Sequence, residues 1–178
     1  MKASIKWLTF IALVVCSSVQ AQQNDNPDVV TISDLSWTDE SFLSQQRARI
    51  DRLARENLGS QIRGDKSDLS TLQRIIDREL VKKDDTITQQ ALGVVLGDVM
   101  LKDEQELTWK VYEDKVGRSR ALCAMSVEEC LFPVTMLSRR MRVGLKPDVK
   151  KVYVEALELI AESLPKLPYG EVREYKAY

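Results

Sequence analysis

Apolar residues recur along the chain with two periods, and the changes of period divide it into elements. Phe42, Leu43, Ile50, Leu53, Ala54 and Leu58 keep near-helical spacing up to Gly59, which predicts a first helix. Thr38 is placed to cap it, and Asp39 and Glu40 give its first turn the charge that the helix dipole favours. Gln46 and Arg47 interrupt the apolar face, so this helix is expected on the surface of the domain. A turn over residues 61–68 contains Gly64, and Ser67 or Asp68 can cap a second helix with the stripe Leu69, Leu72, Ile75, Ile76 and Leu80. Residues 82–85 break that pattern. A third helix begins at Thr86 or Thr88 and is apolar on nearly all sides, through Ala91, Leu92, Val94, Val95, Leu96, Val99 and Met100. A helix of that kind is buried against more than one neighbour. Gly93 and Gly97 lie four apart on one side of it. Each costs about 1 kcal/mol of propensity relative to Ala, which points to close approach of another backbone, a strand or the first helix. The same spacing promotes membrane dimers only in apolar segments of about 20 residues, and this one is shorter and flanked by charge.

The period then changes to two. Leu107, Trp109 and Val111 alternate with Thr108, Lys110 and Tyr112, the pattern of a half-buried strand. Residues 113–117 supply a turn, with Asp114 at its start and Gly117 free to take positive φ. Residues 119–125 return as the second strand of a hairpin. Residues 132–137 read as a third strand, which Pro133 confines to an edge or a strand start. Pro147 opens the last helix, carried by Val149, Val152, Tyr153, Ala156, Leu157, Ile160 and Leu164, and Pro165 and Pro168 end it. The predicted fold is therefore α+β: N-terminal helices, a small antiparallel sheet of about three strands, and a closing C-terminal helix. The chain divides into a helical pair at 35–85, a core domain at 86–168 and a polar tail at 169–178.

The N-terminus adds an address. Lys2 and Lys6 precede an apolar run over residues 7–15, and Val19-Gln20-Ala21 forms a small-residue cleavage site, so residues 1–21 read as an export signal. The run is about half the ~20 residues that span a bilayer, so no stable membrane span is expected once it is removed. Val15 stands where a lipoprotein signal carries a small residue before its cysteine, so cleavage is expected after Ala21 rather than lipidation of Cys16. Residues 22–34 are polar, contain Pro27 and read as a flexible leader. The expected location is the periplasm or another exported compartment. Cleavage removes two lysines and no acid, leaving 24 basic against 27 acidic side chains, a net charge of −3. That balance argues against a nucleic-acid partner. Cleavage also leaves two cysteines, Cys123 and Cys130, in a compartment where disulfides form. Their spacing is not C-x-x-C, and Glu128 and Glu129 would raise a thiol pKa, so the pair is expected as a structural bridge rather than a redox centre.

The chain has no histidine. Serine and cysteine triads built on histidine are thereby absent, and so is the commonest zinc ligand. No phosphate loop, dinucleotide fingerprint or calcium loop occurs, so neither a metal nor a cofactor is expected. Carboxylate chemistry of the kind that cuts glycans has Asp98, Glu113 and Asp114 as candidates. Each also has an ordinary role, Asp98 in a helical pair with Lys102 and the other two in a solvated turn. The candidate binding residues are Arg118, Arg120, Arg139, Arg140 and Arg142. If the strands that carry or precede them lie side by side, their guanidinium groups meet on one face and can grip an acidic partner; otherwise they form a solvated rim. Tyr112, Tyr169, Tyr175 and Tyr178 either enlarge a contact surface or are incidental to it.

Three segments in order carry a family resemblance. They are Ala91-Leu92-Gly93-Val94-Val95-Leu96-Gly97-Asp98, then Trp109-Lys110-Val111-Tyr112-Glu113-Asp114 with Gly117-Arg118, then Phe132-Pro133 with Met136 and Arg139 or Arg140. Together they resemble the bacterial family catalogued as domain of unknown function 3806, over residues 86–164 and without the first two helices. The Cys123/Cys130 pair lies outside that pattern, and the resemblance implies no activity. The functional expectation is an exported, non-enzymatic binding module of the cell envelope, with an envelope protein or an anionic ligand as partner. The alternatives are a carboxylate-based envelope hydrolase and a structural envelope-integrity factor without a discrete site.

Overall fold

The computed structural model describes residues 30–124 and 129–177. The predicted export signal, most of the predicted leader, residues 125–128 and Tyr178 lie outside the described residues. The elements run β1 (Thr31–Asp34), α1 (Trp37–Leu58), α2 (Ser67–Asp77), α3 (Thr86–Asp103), β2 (Leu107–Asp114), β3 (Gly117–Ala124), β4 (Cys130–Leu131), α4 (Pro133–Met136), α5 (Ser138–Arg142) and α6 (Val149–Ala161). The class is α+β, as the change of period predicts. The four strands form an antiparallel sheet in the order β1-β2-β3-β4.

Two elements differ from the sequence reading. Residues 31–34, assigned to the leader, form β1 and pair with β2, Thr31 opposite Glu113 and Asp34 opposite Lys110. Four polar-rich residues carry no periodic signal of their own. The open edge of β2 and the Asp34–Lys110 ion pair recruit them. The predicted third strand at 132–137 is helical instead: Pro133 occupies the first turn of α4, where its missing N–H costs nothing. The strand that pairs with β3 is the two-residue β4 just before it.

α3 is the axis of the molecule. Every residue from Ala91 to Gly97 is buried, with Val99 and Met100. α1, α2, α4, α5, α6 and β2 all pack on it. Its glycines make that possible. A Cβ on Gly93 would stand 2.3 Å from the Pro133 carbonyl oxygen and 2.8 Å from Val134 Cα, so the backbone pressed there is that of α4. A Cβ on Gly97 would stand 2.5 Å from the Trp109 ring. α1 is less superficial than its interrupted stripe suggests, for Gln46 is buried beside Leu43, Ile50 and Ala54. Ser36, not Thr38, caps it, because Ser36 and Asp39 form a reciprocal capping box and start the helix two residues earlier.

On the sheet, Leu107, Trp109 and Val111 face inward as their alternation predicts. Cys123 lies opposite Cys130 across β3 and β4, with sulfurs at disulfide distance, 2.02 Å. The bridge closes a short loop, so replacing both cysteines by alanine is expected to lower stability by about 2–3 kcal/mol through the freed unfolded chain. Urea unfolding of the parent with and without reductant should show the same difference. Coincident midpoints would mean that the pair is not bridged in the purified protein.

Candidate functional site

Arg118 and Arg120 alternate along β3 on the face shared by Trp109 and Val111, and so point toward α1. There they meet one acid. The Arg118 guanidinium forks onto Asp39, Nη1 to Oδ1 at 2.9 Å and Nη2 to Oδ2 at 2.6 Å. Arg120 Nη2 reaches Asp39 Oδ1 at 2.9 Å, and its guanidinium lies 3.9 Å from the centre of the Phe42 ring. Asp39 is fully buried although it sits on the first turn of α1. Its Oδ2 also accepts hydrogen bonds from the Ser36 hydroxyl at 2.5 Å and the Ser36 amide at 3.1 Å. The Arg118 guanidinium holds the Asp39 carboxyl far below the usual carboxylate range, against the opposing effect of burial. These two arginines therefore clamp the start of α1 to the hairpin.

Arg139, Arg140 and Arg142 stand on α5, a short helix packed on α3 and α4, and follow no strand. The side-by-side register that would gather all five arginines is absent, because residues 132–137 are not a strand. Arg140 donates to the Met136 carbonyl at 2.7 Å. Arg139 and Arg142 are exposed and make no hydrogen bond or ion pair among the described residues. Exposed Val143 and Leu145 follow them directly.

The candidate acids each have a structural partner. Asp98 receives a forked pair from Arg47, at 2.5 and 2.7 Å, and the Trp109 indole N–H at 3.0 Å. Its partner is thus α1 rather than the expected Lys102, because the side of α3 that carries it faces inward. Glu113 stands opposite Arg118 in the β2–β3 register. Asp114 accepts the Val116 and Gly117 amides and shapes the hairpin turn. Among the described residues no group of three acids or cysteines is placed to hold a metal ion.

A further polar cluster joins the C-terminal ends of the chain to α3. Tyr153 of α6 donates to Asp103, which Lys66 also contacts at 2.8 Å. Arg173 and Tyr175 both bond Glu104, at 2.9 and 3.0 Å. Burial first, and then the neighbouring acid, push both phenols above their ordinary range. Tyr175 is thus part of the fold, whereas Tyr169 is fully exposed and Tyr112 packs edge-on against Phe132 at 5.0 Å. Asp39 and Arg47 were not legible as partners, since both sit on an ordinary charged helix face. The only hint was the polar interruption at Gln46 and Arg47.

No helix among the described residues is long and apolar enough to cross a membrane. Among curated proteins none matches the chain. A crystal structure of a protein from Bacteroides thetaiotaomicron VPI-5482 is similar with a TM-score of 0.69 at 12% identity, over 77% of this chain and 51% of that one. The likeness shows the fold alone, and the chain spans about half the length of that protein. Residues 68–153 match the family described as Domain of unknown function (DUF3806). The match begins at α2, earlier than the sequence resemblance does, and ends inside α6. The α3 glycines, the Trp109 strand and the Phe132-Pro133 turn thus pack as one unit, and the chain carries a domain of the DUF3806 family.

Proposed function

We propose that this chain works by binding, as an exported non-enzymatic module of the cell envelope whose partner presents an acidic surface. The observation that carries this reading is the row on and after α5. Arg139 and Arg142 are uncommitted, Arg140 is held by one carbonyl, and Val143 and Leu145 are 69% and 60% exposed beside them. Arginine set among exposed apolar side chains is the composition of an interface core. The N-terminal signal pattern and the cysteine pair support an oxidising, exported setting. A hydrolase would need two converging carboxyl groups, one with a raised pKa, whereas Asp98, Glu113 and Asp114 serve a half-buried ion pair, a strand register and a turn.

Affinity capture of the tagged protein from native envelope extract is expected to retain a partner. Changing Arg139, Arg140 and Arg142 together to alanine should reduce that retention at least tenfold while the circular dichroism stays the same. High salt should weaken the parent's capture in the same direction. Equal capture by parent and variant would remove α5 as the site. Turnover of an envelope glycan that depends on Asp98, Glu113 or Asp114 would replace the binding reading with the hydrolase.

A further inference from the structure

A second concentration of arginine lies away from α5, where the end of α1, the connecting segment and α2 enclose an open cavity of about 640 Å³. Arg55, Arg63 and Arg74 line it, one from each of these three pieces of chain, with Ser60 and Thr71 among the polar groups between them. A cavity of equal volume beside Asp98 sets Arg47 and Arg63 against Asp51 and Asp98. In the first cavity the balance is different. Arg55 is compensated by Asp51 at 2.7 Å and steadied by Gln61. Arg74 bonds only neutral oxygens, Ser60 Oγ at 3.2 Å and the Leu58 carbonyl at 3.4 Å, and so keeps its charge. The Arg63 guanidinium makes no hydrogen bond among the described residues, although Asp65 attracts it from a distance.

The nearby acids Asp65 and Asp68 do not line the cavity. Asp65 accepts the Ser67 amide and hydroxyl, and buried Asp68 accepts the Arg63 and Gly64 amides. A guanidinium offers five N–H donors, so Arg55 and Arg74 each retain most of theirs after these contacts. Ser60 accepts from Arg74, and its own proton meets only a carbonyl at 3.5 Å, too long to hold it. The cavity thus gathers three guanidiniums, spare N–H donors and the weakly held Ser60 proton, with Arg55 and Arg74 fixed in advance and Arg63 available to close.

We propose that this cavity binds a phosphate-type oxyanion, either free or as the phosphomonoester headgroup of a larger ligand. A tetrahedral dianion can accept from several converging donors at once, which suits three guanidiniums better than it suits a single planar carboxylate. The proposal stands apart from the α5 surface, and either can fail without the other.

The test is titration of the purified protein with inorganic phosphate at constant ionic strength, followed by calorimetry, with chloride as the control anion. A second arm uses phosphatidylcholine vesicles with and without phosphatidic acid. Saturable binding is expected in at least one arm. The double variant Arg63→Gln, Arg74→Gln should weaken it at least tenfold, and Arg63→Gln alone at least threefold. Arg63→Gln removes no side-chain hydrogen bond among the described residues, so its urea midpoint should match the parent's. Binding of free phosphate identifies the anion itself as the ligand, and binding of phosphatidic acid vesicles alone identifies the headgroup. Absence of saturable binding in both arms, or unchanged binding by Arg63→Gln and the double variant, would overturn the proposal.

Discussion

Alanine at position 39 is expected to destabilise the protein by about 3 kcal/mol, far more than a surface acid on a helix ordinarily contributes. Asp39 is the carboxylate that Arg118 and Arg120 both grip and the reciprocal partner of the Ser36 cap, while Glu113 acts on Arg118 only from a distance. Removing it takes from two guanidiniums the carboxylate they bond and leaves one capping interaction unmade. Arg120 has the least recourse to water, for its side chain is only 24% exposed and its Nε is already buried without a partner. Arg118, at 43%, recovers part of the loss by solvation, which keeps the expected cost below the upper range for a buried pair. Asp39→Asn preserves an oxygen for Ser36 but not the charge, and should fall between parent and alanine.

The same clamp makes a signed pH prediction. The folded-state pKa of Asp39 is depressed, so between it and the unfolded value near 4 the unfolded chain binds more protons. The contribution of the clamp is fully present above that unfolded value and is lost as pH falls toward the folded one. Parent and Asp39→Asn should therefore differ most in urea midpoint above about pH 5 and converge as the solution is acidified below pH 4. A difference that is constant with pH would mean that the carboxyl charge contributes nothing and that only the cap matters.

The second large effect is at Gly93. Helix propensity alone predicts that Gly93→Ala gains about 1 kcal/mol. The packing predicts a net loss of about 3 kcal/mol, because the new methyl would meet the backbone of α4 at distances that no side-chain rotation relieves. α4 would have to withdraw from α3 and carry α5 with it. Chemical denaturation reads this directly, and a variant more stable than the parent would show that α4 does not press on α3 as described. Gly97→Ala should cost less, since its obstacle is the Trp109 ring, although the ring's hydrogen bond to Asp98 limits how far it can yield.

These sites also mark where local pattern stops informing. The all-round apolar character of residues 91–100 requires a buried helix in any fold, and the alternation of Leu107, Trp109 and Val111 requires a half-covered strand. Those features depend on period, which is a property of the chain itself. The glycine pair announced a close approach, but not whose backbone would make it. Residues 132–137 show the opposite case. A short apolar run with a proline suits an edge strand and a first helical turn equally, and contact with Gly93 decided for the helix.

Function-bearing charge was the least legible. Five arginines in two sequence clusters left open one shared face or a solvated rim, and the fold divided them: Arg118 and Arg120 turn inward to Asp39, while Arg139 and Arg142 remain exposed. The three arginines around the α1–α2 cavity are spread over residues 55–74 and form no cluster in the sequence. The sequence by itself determined the α+β class, the buried α3, the hairpin and the spacing of the cysteines, because burial and hydrogen-bonding period are enforced within a few neighbouring residues. Only the tertiary structure decided which charges are neutralised and which are left open, because an ion pair depends on distance in space, and Asp39 meets Arg118 across 79 positions of chain.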